Sequence, residues 1–232
     1  MLRIKISSVL ILSAIFSSCG NAEKKDAAAG KQTASPSEAA PVATETPAKK
    51  QNILFFGTSL TAGYGLDDPS EAYPALIQQK IDALGLPYRV INGGLSGETS
   101  AAGKNRIDWL LKQPVSIFVL ELGANDGLRG LSTGQTTLNL QLVIDAVKKK
   151  YPQAKLVMLG MQMPPSMGTK YTAEFKEIFS SLAAKNHMAY VPFLLEGVGG
   201  ISRLNQQDGI HPTAEGQKIL AENVWKVLKD QL

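Results

Sequence analysis

A serine, a histidine and an aspartate stand in this chain where they could work together. GTSL at residues 57–60 places Ser59 directly after an apolar run, 53–56, that reads as a buried strand, and DGIHP at residues 208–212 places Asp208 three residues before His211. A serine hydroxyl is a weak nucleophile at neutral pH. It needs an imidazole to take its proton, and the imidazole needs a carboxylate to hold its tautomer. Asp208 is near enough in sequence to accept the Nδ1–H of His211, which leaves Nε2 for Ser59. The chain has two histidines, so the base of such a relay has few claimants. His187, at the end of an amphipathic stretch, reads as a surface or capping residue.

Acyl transfer also needs hydrogen-bond donors aimed at the oxygen that becomes negative in the tetrahedral intermediate. Ser59 can offer its own N–H, Gly94 a bare backbone N–H, and Asn125 its side-chain amide. Taken singly, each has an ordinary alternative: Ser59 as a cap, Gly93-Gly94 as a tight turn, Asn125-Asp126 as a turn or helix start. GTSL is not a GxSxG elbow, and no such elbow occurs elsewhere, which argues against an α/β-hydrolase proper. The absence of HExxH and of a cysteine cluster disfavours a metal hydrolase. The glycines of GTSLTAGYG match neither GxGxxG nor a Walker loop, so a nucleotide-binding reading is weak.

The elements that must position these groups alternate along the chain. Residues 52–57, 88–92, 115–122, 155–160 and 189–191 read as short apolar strands. The stretches 72–84, 100–113, 132–150, 171–186 and 213–228 read as amphipathic helices. This alternation predicts an α/β fold, a parallel five-stranded sheet with helices on both faces. In such sheets ligands bind beyond the carboxyl ends of the strands. Ser59, Gly94, Asn125 and the 208–211 loop all follow strands, so all are expected at that edge. Leu128 and Leu131, just past Asn125, are candidate walls of an acyl pocket. Met161 and Met163 either line it as adaptable soft side chains or simply pack there with Met158 and Met167.

The first fifty residues have a different character. Arg3 and Lys5 precede an apolar stretch, 6–16, and then small residues, so residues 1–18 read as a signal peptide, too short an apolar run for a membrane span. Cys19, the sole cysteine, follows Phe16-Ser17-Ser18 and resembles the end of the lipobox of bacterial lipoproteins, with Phe16 where leucine is more usual. That resemblance implies lipidation at Cys19, a membrane anchor and an exported protein of the cell envelope. Residues 19–51, rich in Ala, Pro, Ser, Thr, Glu and Lys, read as a disordered tether with a mean span of roughly 30 Å. The folded domain is then expected over 52–232. The net charge of +4 is modest and several lysines fall in the tether, so nucleic acid is not an expected partner.

In sum, residues 57–60 (GTSL), 92–94 (NGG), 123–126 (GAND) and 208–212 (DGIHP) resemble, in order and over nearly all of 52–232, the SGNH or GDSL hydrolases. Longer runs, GTSLTAGYGL, GANDGLRGL and MQMPPSMGTKY, are similar to the bacterial branch with acyl-CoA thioesterase I, lysophospholipases and arylesterases. The resemblance implies a three-layer α/β/α sandwich of flavodoxin-like type. It implies Ser59 as nucleophile and oxyanion donor, Gly94 and Asn125 as further donors, His211 as base, Asp208 as its orienter, and no cofactor. Thr58 departs from the signature, which has aspartate there. The expected substrates are small acyl esters, thioesters or lysophospholipids; a carbohydrate acetyl-esterase and a ligand-binding lipoprotein without turnover are the alternatives.

Overall fold

The computed structural model describes residues 50–232. The stretch expected to be a signal peptide, Cys19 and the stretch expected to be a tether, up to residue 49, lie outside the described residues. Gln51, assigned to the tether from sequence, instead opens the first strand, where its N–H donates to the carbonyl of Pro87 at 2.8 Å.

Five strands form one parallel sheet: β1 (Gln51–Gly57), β2 (Tyr88–Gly94), β3 (Ile117–Glu121), β4 (Lys155–Leu159) and β5 (Ala189–Val191), in the order β2-β1-β3-β4-β5. This is the doubly wound order, with its switch point between β1 and β3. Both are central and covered on both faces, so they read as continuous apolar runs rather than alternating ones. Ile53, Phe55, Phe56, Phe118, Val119 and Leu120 are all fully buried.

Two helices pack together on one face, α2 (Tyr73–Ala83) and α7 (Ala214–Leu228). On the other lie α3 (Ser100–Leu110), α5 (Thr133–Lys150) and α6 (Thr169–Asn186). This is the layered sandwich expected from the alternation. Thr99, Ser132 and Thr213 cap α3, α5 and α7 by accepting from backbone N–H groups three residues on. His187 terminates α6 in the left-handed conformation, φ 56°. The helix expected over 100–113 stops earlier, because the residue before Pro114 is biased away from helical backbone.

Two elements were not legible as periodic patterns. They are the single turns α1 (Ser59–Ala62) and α4 (Ala124–Leu128), each beginning within three residues of a strand end. A further difference concerns Gly93-Gly94, which does not follow β2 but completes it, paired with Phe56 and Gly57. Gly94 lies against α1 so closely that an added Cβ would sit 2.7 Å from Ala62 Cα. Gly94→Ala is therefore expected to lower stability by about 1–3 kcal/mol through overpacking, read as a lower denaturant midpoint with unchanged slope.

Candidate active site

The backbone leaves β1 at Gly57, turns at Thr58, and starts α1 at Ser59, which is 9% exposed. From the far end of the chain, the loop before α7 brings His211 to it: Ser59 Oγ lies 2.9 Å from His211 Nε2, and His211 Nδ1 lies 2.6 Å from Asp208 Oδ2. With Nδ1–H donating to Asp208, Nε2 is free to accept the serine O–H. Asp208 Oδ1 accepts the N–H groups of Ile210 (2.9 Å) and His211 (3.0 Å), so the carboxylate organises the loop that carries its partner.

That loop is tied down on several sides. Asn205 bridges to Pro212, Gln206 N–H donates to the His211 carbonyl at 2.7 Å, and Gln206 Nε2 donates to the carbonyls of Tyr64 (2.7 Å) and Pro212 (3.1 Å). The Tyr64 ring rests against the imidazole with centroids 4.7 Å apart. A histidine held at both nitrogens and on one face has little rotational freedom, which is what proton transfer requires.

On the other side of Ser59 stands Asn125, in α4, whose Nδ2 donates to the Glu98 carbonyl at 3.0 Å. Its neighbour Asp126 is buried and accepts from Ser100 N–H (2.7 Å), Ser100 Oγ (2.5 Å) and Thr136 Oγ1 (3.4 Å), pinning α4 to the starts of α3 and α5. Glu98 pairs with Arg106 at 2.6 Å. Arg106 also donates to the Gly93 carbonyl and covers the Phe56 ring, 4.6 Å from its centroid.

This geometry corrects the expectation for Gly94. Its N–H donates to Asn92 Oδ1 at 2.9 Å and its α-carbon packs on α1, so it has no free N–H to offer. The glycine in the loop held by Asn125 is Gly97, φ 77°, with open space where a Cβ would stand and no partner for its N–H among the described residues. The Ser-Gly pair at 96–97, a turn signal, was the available clue. Ser59 N–H likewise has no partner among the described residues.

Ser59, Asn125 and His211 open onto a cleft of about 500 Å³ with largely apolar walls. Leu128, Met161 and Met163 are in its lining, so the two methionines take the first of their two alternative places, while Leu131 is not. The Leu131 side chain is 42% exposed and its carbonyl accepts from Tyr171 OH, away from the cleft. Phe193, Leu195 and Ile210 complete the wall and were not singled out from sequence. Met158 is core. A second hollow, about 400 Å³, lies where the strands begin, at the opposite end of the sheet from Ser59, with Tyr88, Lys150 and Lys155 in its lining. Among the described residues no group of three His, Cys, Asp or Glu is placed to hold a metal, and no helix is long and apolar enough to cross a membrane.

A 2-1-3-4-5 parallel sheet that sets a serine, a histidine and an aspartate in hydrogen-bonded series beside its switch point defines a hydrolase of the serine-esterase class. The chain belongs to the GDSL-like Lipase/Acylhydrolase family, which matches residues 55–219. It is 42% identical to Esterase TesA of Pseudomonas aeruginosa over 186 residues, covering 80% of this chain and 91% of that one. It is 35% identical to Thioesterase 1/protease 1/lysophospholipase L1 of Escherichia coli K12 over 183 residues, 78% of this chain and 85% of that one. Among solved structures, the psychrotrophic esterase EstA from Pseudoalteromonas sp., inhibited by monoethylphosphonate, superposes with a TM-score of 0.73 at 30% identity, covering 78% of this chain and 98% of that one.

The hydrogen bond from the His211 ring, helped by the backbone N–H groups of His211 and Ile210, holds the Asp208 carboxyl at about 2, below its ordinary 3.8. A depressed carboxylate contributes stability that is fully present above the ordinary value and lost as pH falls through the folded one. The Asp208–His211 contact should therefore persist to about pH 2. A carbon-detected NMR titration is expected to give that midpoint for Asp208, and His211→Ala is expected to move it back up.

Proposed function

We propose that Ser59 is the nucleophile of a two-step acyl transfer on carboxylic esters or thioesters of apolar acyl chains. The observation that carries this reading is the series Ser59–His211–Asp208, closed at 2.9 and 2.6 Å, at the mouth of an apolar cleft. His211 Nε2 takes the serine proton as Oγ attacks the carbonyl carbon, then returns it to the departing alkoxide or thiolate; water repeats the sequence on the acyl-enzyme. Asp208 stabilises the imidazolium formed in between. The developing oxyanion is received by the N–H of Ser59, the amide of Asn125 and, in place of Gly94, the N–H of Gly97. The acyl chain runs along Leu128, Met161, Met163, Phe193, Leu195 and Ile210. No step calls for a cofactor.

Small acyl esters and lysophospholipids are the substrates this reading assigns to the cleft, and the relatives' names, esterase and thioesterase/lysophospholipase, support it. The pattern of residues 1–19 supports export, lipidation of Cys19 and residence in the cell envelope on a membrane anchor. Export, on this reading, favours acyl esters of the envelope over cytoplasmic thioesters as natural substrates.

Hydrolysis of p-nitrophenyl esters from acetate to palmitate is expected to show kcat/KM rising with acyl length until the cleft is filled, since each buried methylene contributes about 0.8 kcal/mol. Ser59→Ala is expected to lower kcat by about 10⁴-fold or more and Asp208→Asn by about 10³–10⁴-fold. A folded wild-type domain without esterase activity, or equal activity in Ser59→Ala, would refute the reading. Separately, an alkyne fatty acid supplied to cells is expected to label the full chain and to leave Cys19→Ser unlabelled.

A further inference from the structure

Beside the nucleophile turn lies a carboxyl group for which the acyl-transfer steps have no use. Glu121, the last residue of β3, is 1% exposed and stands in register with Gly57. Around it are only donors. Thr58 N–H (2.8 Å) and Thr61 N–H (3.3 Å) reach Oε2, the Thr58 hydroxyl reaches Oε1 (2.9 Å) and Oε2 (3.1 Å), and the Thr61 hydroxyl reaches Oε2 (2.8 Å). Behind Thr61, the buried Tyr73 hydroxyl stands 2.7 Å from Thr61 Oγ1. With Thr61 donating to Glu121, Tyr73 donates to Thr61, and every hydrogen in the chain points toward the carboxylate. Burial pushes the Glu121 carboxyl above its ordinary value, and the hydrogen bonds from Thr58 and Thr61 offset part of that rise.

Thr58 and Thr61 bracket Ser59. Across 58–62, Glu121 takes the N–H groups of Thr58 and Thr61, and Ala62 N–H goes to the Thr58 carbonyl at 2.9 Å. Those of Ser59 and Leu60 have no partner among the described residues. The start of a helix carries several unsatisfied N–H groups with equal claims on any anion. Here a buried carboxylate settles two of them and leaves that of Ser59 unclaimed. Burying a carboxylate carries a desolvation penalty that an apolar side chain avoids, so stability by itself gives no reason for this arrangement. The departure at Thr58 also finds its use: a hydroxyl there donates to Glu121, where an aspartate would set a second carboxylate against it.

We propose that Glu121 is a positioning residue for the hydrolytic reaction, its carboxylate fixing the turn through Thr58 and Thr61 so that Ser59 Oγ meets His211 while Ser59 N–H stays available to the oxyanion. This rests on the reading of Ser59 as the nucleophile.

The test compares wild type, Glu121→Gln, Glu121→Asp, Thr58→Val and Ser59→Ala. It measures kcat and KM on p-nitrophenyl butyrate, the rate of Ser59 phosphorylation by diethyl p-nitrophenyl phosphate with release of p-nitrophenolate, and thermal unfolding. In folded Glu121→Gln, kcat and the phosphorylation rate are expected to fall together by about 10²-fold, with KM within about twofold of wild type. Thr58→Val is expected to show a smaller fall of the same kind, and Glu121→Asp a partial recovery. A Glu121→Gln protein that melts earlier yet keeps wild-type kcat and phosphorylation rate below its melting temperature overturns the proposal and leaves Glu121 a structural group. Should Glu121→Gln not fold, wild-type kcat in Thr58→Val overturns it equally. An inactive wild type, or an active Ser59→Ala, instead refutes the assignment of Ser59 and the proposal with it.

Discussion

The parallel pairing of β1 with β3, in register from Ile53↔Ile117 to Gly57↔Glu121, sets two chain reversals side by side at the carboxyl edge of the sheet. One carries Ser59 and the other carries Asn125. Both faces of these strands are covered, so slipping this register by one residue would exchange side chains of different size between two close-packed layers. The buried core therefore fixes the distance between the two turns. The order of the strands does the rest, since β2 and β4 leave β1 and β3 on opposite sides and the crevice between them stays open.

What apolar burial places, polar contacts then orient. Three carboxylates hold three loops: Glu121 the turn bearing Ser59, Asp126 the turn bearing Asn125, and Glu98, through Arg106, the loop with Gly97. Each is largely or wholly buried, and each is matched by donors from backbone, hydroxyl or guanidinium. Among the described residues no buried side-chain polar atom lacks a partner. Groups so deeply placed would oppose folding if left unpaired, so any loop arrangement that leaves one of them unmet is disfavoured. Asp208 differs, being partly open to solvent, and it holds the loop that carries His211.

Much of this was legible in the sequence, for identifiable reasons. The strands announced themselves through apolar runs of Ile, Leu, Phe and Val, and the helices through three- and four-residue spacing. Ser59, Asn125, Asp208 and His211 stood out because few other residues of their kind fell at strand ends. Gly94 misled because a Gly-Gly pair is a turn signal in isolation, whereas parallel pairing with Phe56 and Gly57 carries the strand through it. The turns α1 and α4 are shorter than two helical repeats and leave no periodicity to read. Phe193 and Leu195 come from one stretch and Ile210 from another, and the two meet only in the folded chain. Glu121 was hidden by its setting, one acidic residue at the end of an apolar strand, with nothing local to say that Thr58 and Thr61 surround it.

The contact between Ser59 and His211 joins residues 152 positions apart. Its histidine arrives on the last loop before the final helix, after every strand of the sheet has already been laid down. Synthesis runs from the amino end, so the turn bearing Ser59 and its Glu121 support can form while the chain still lacks His211. The order of elements thus acts as a timer: in every shorter form of the polypeptide Ser59 stands without its imidazole partner, and the hydrogen-bonded series closes only once residues 208–211 have been made.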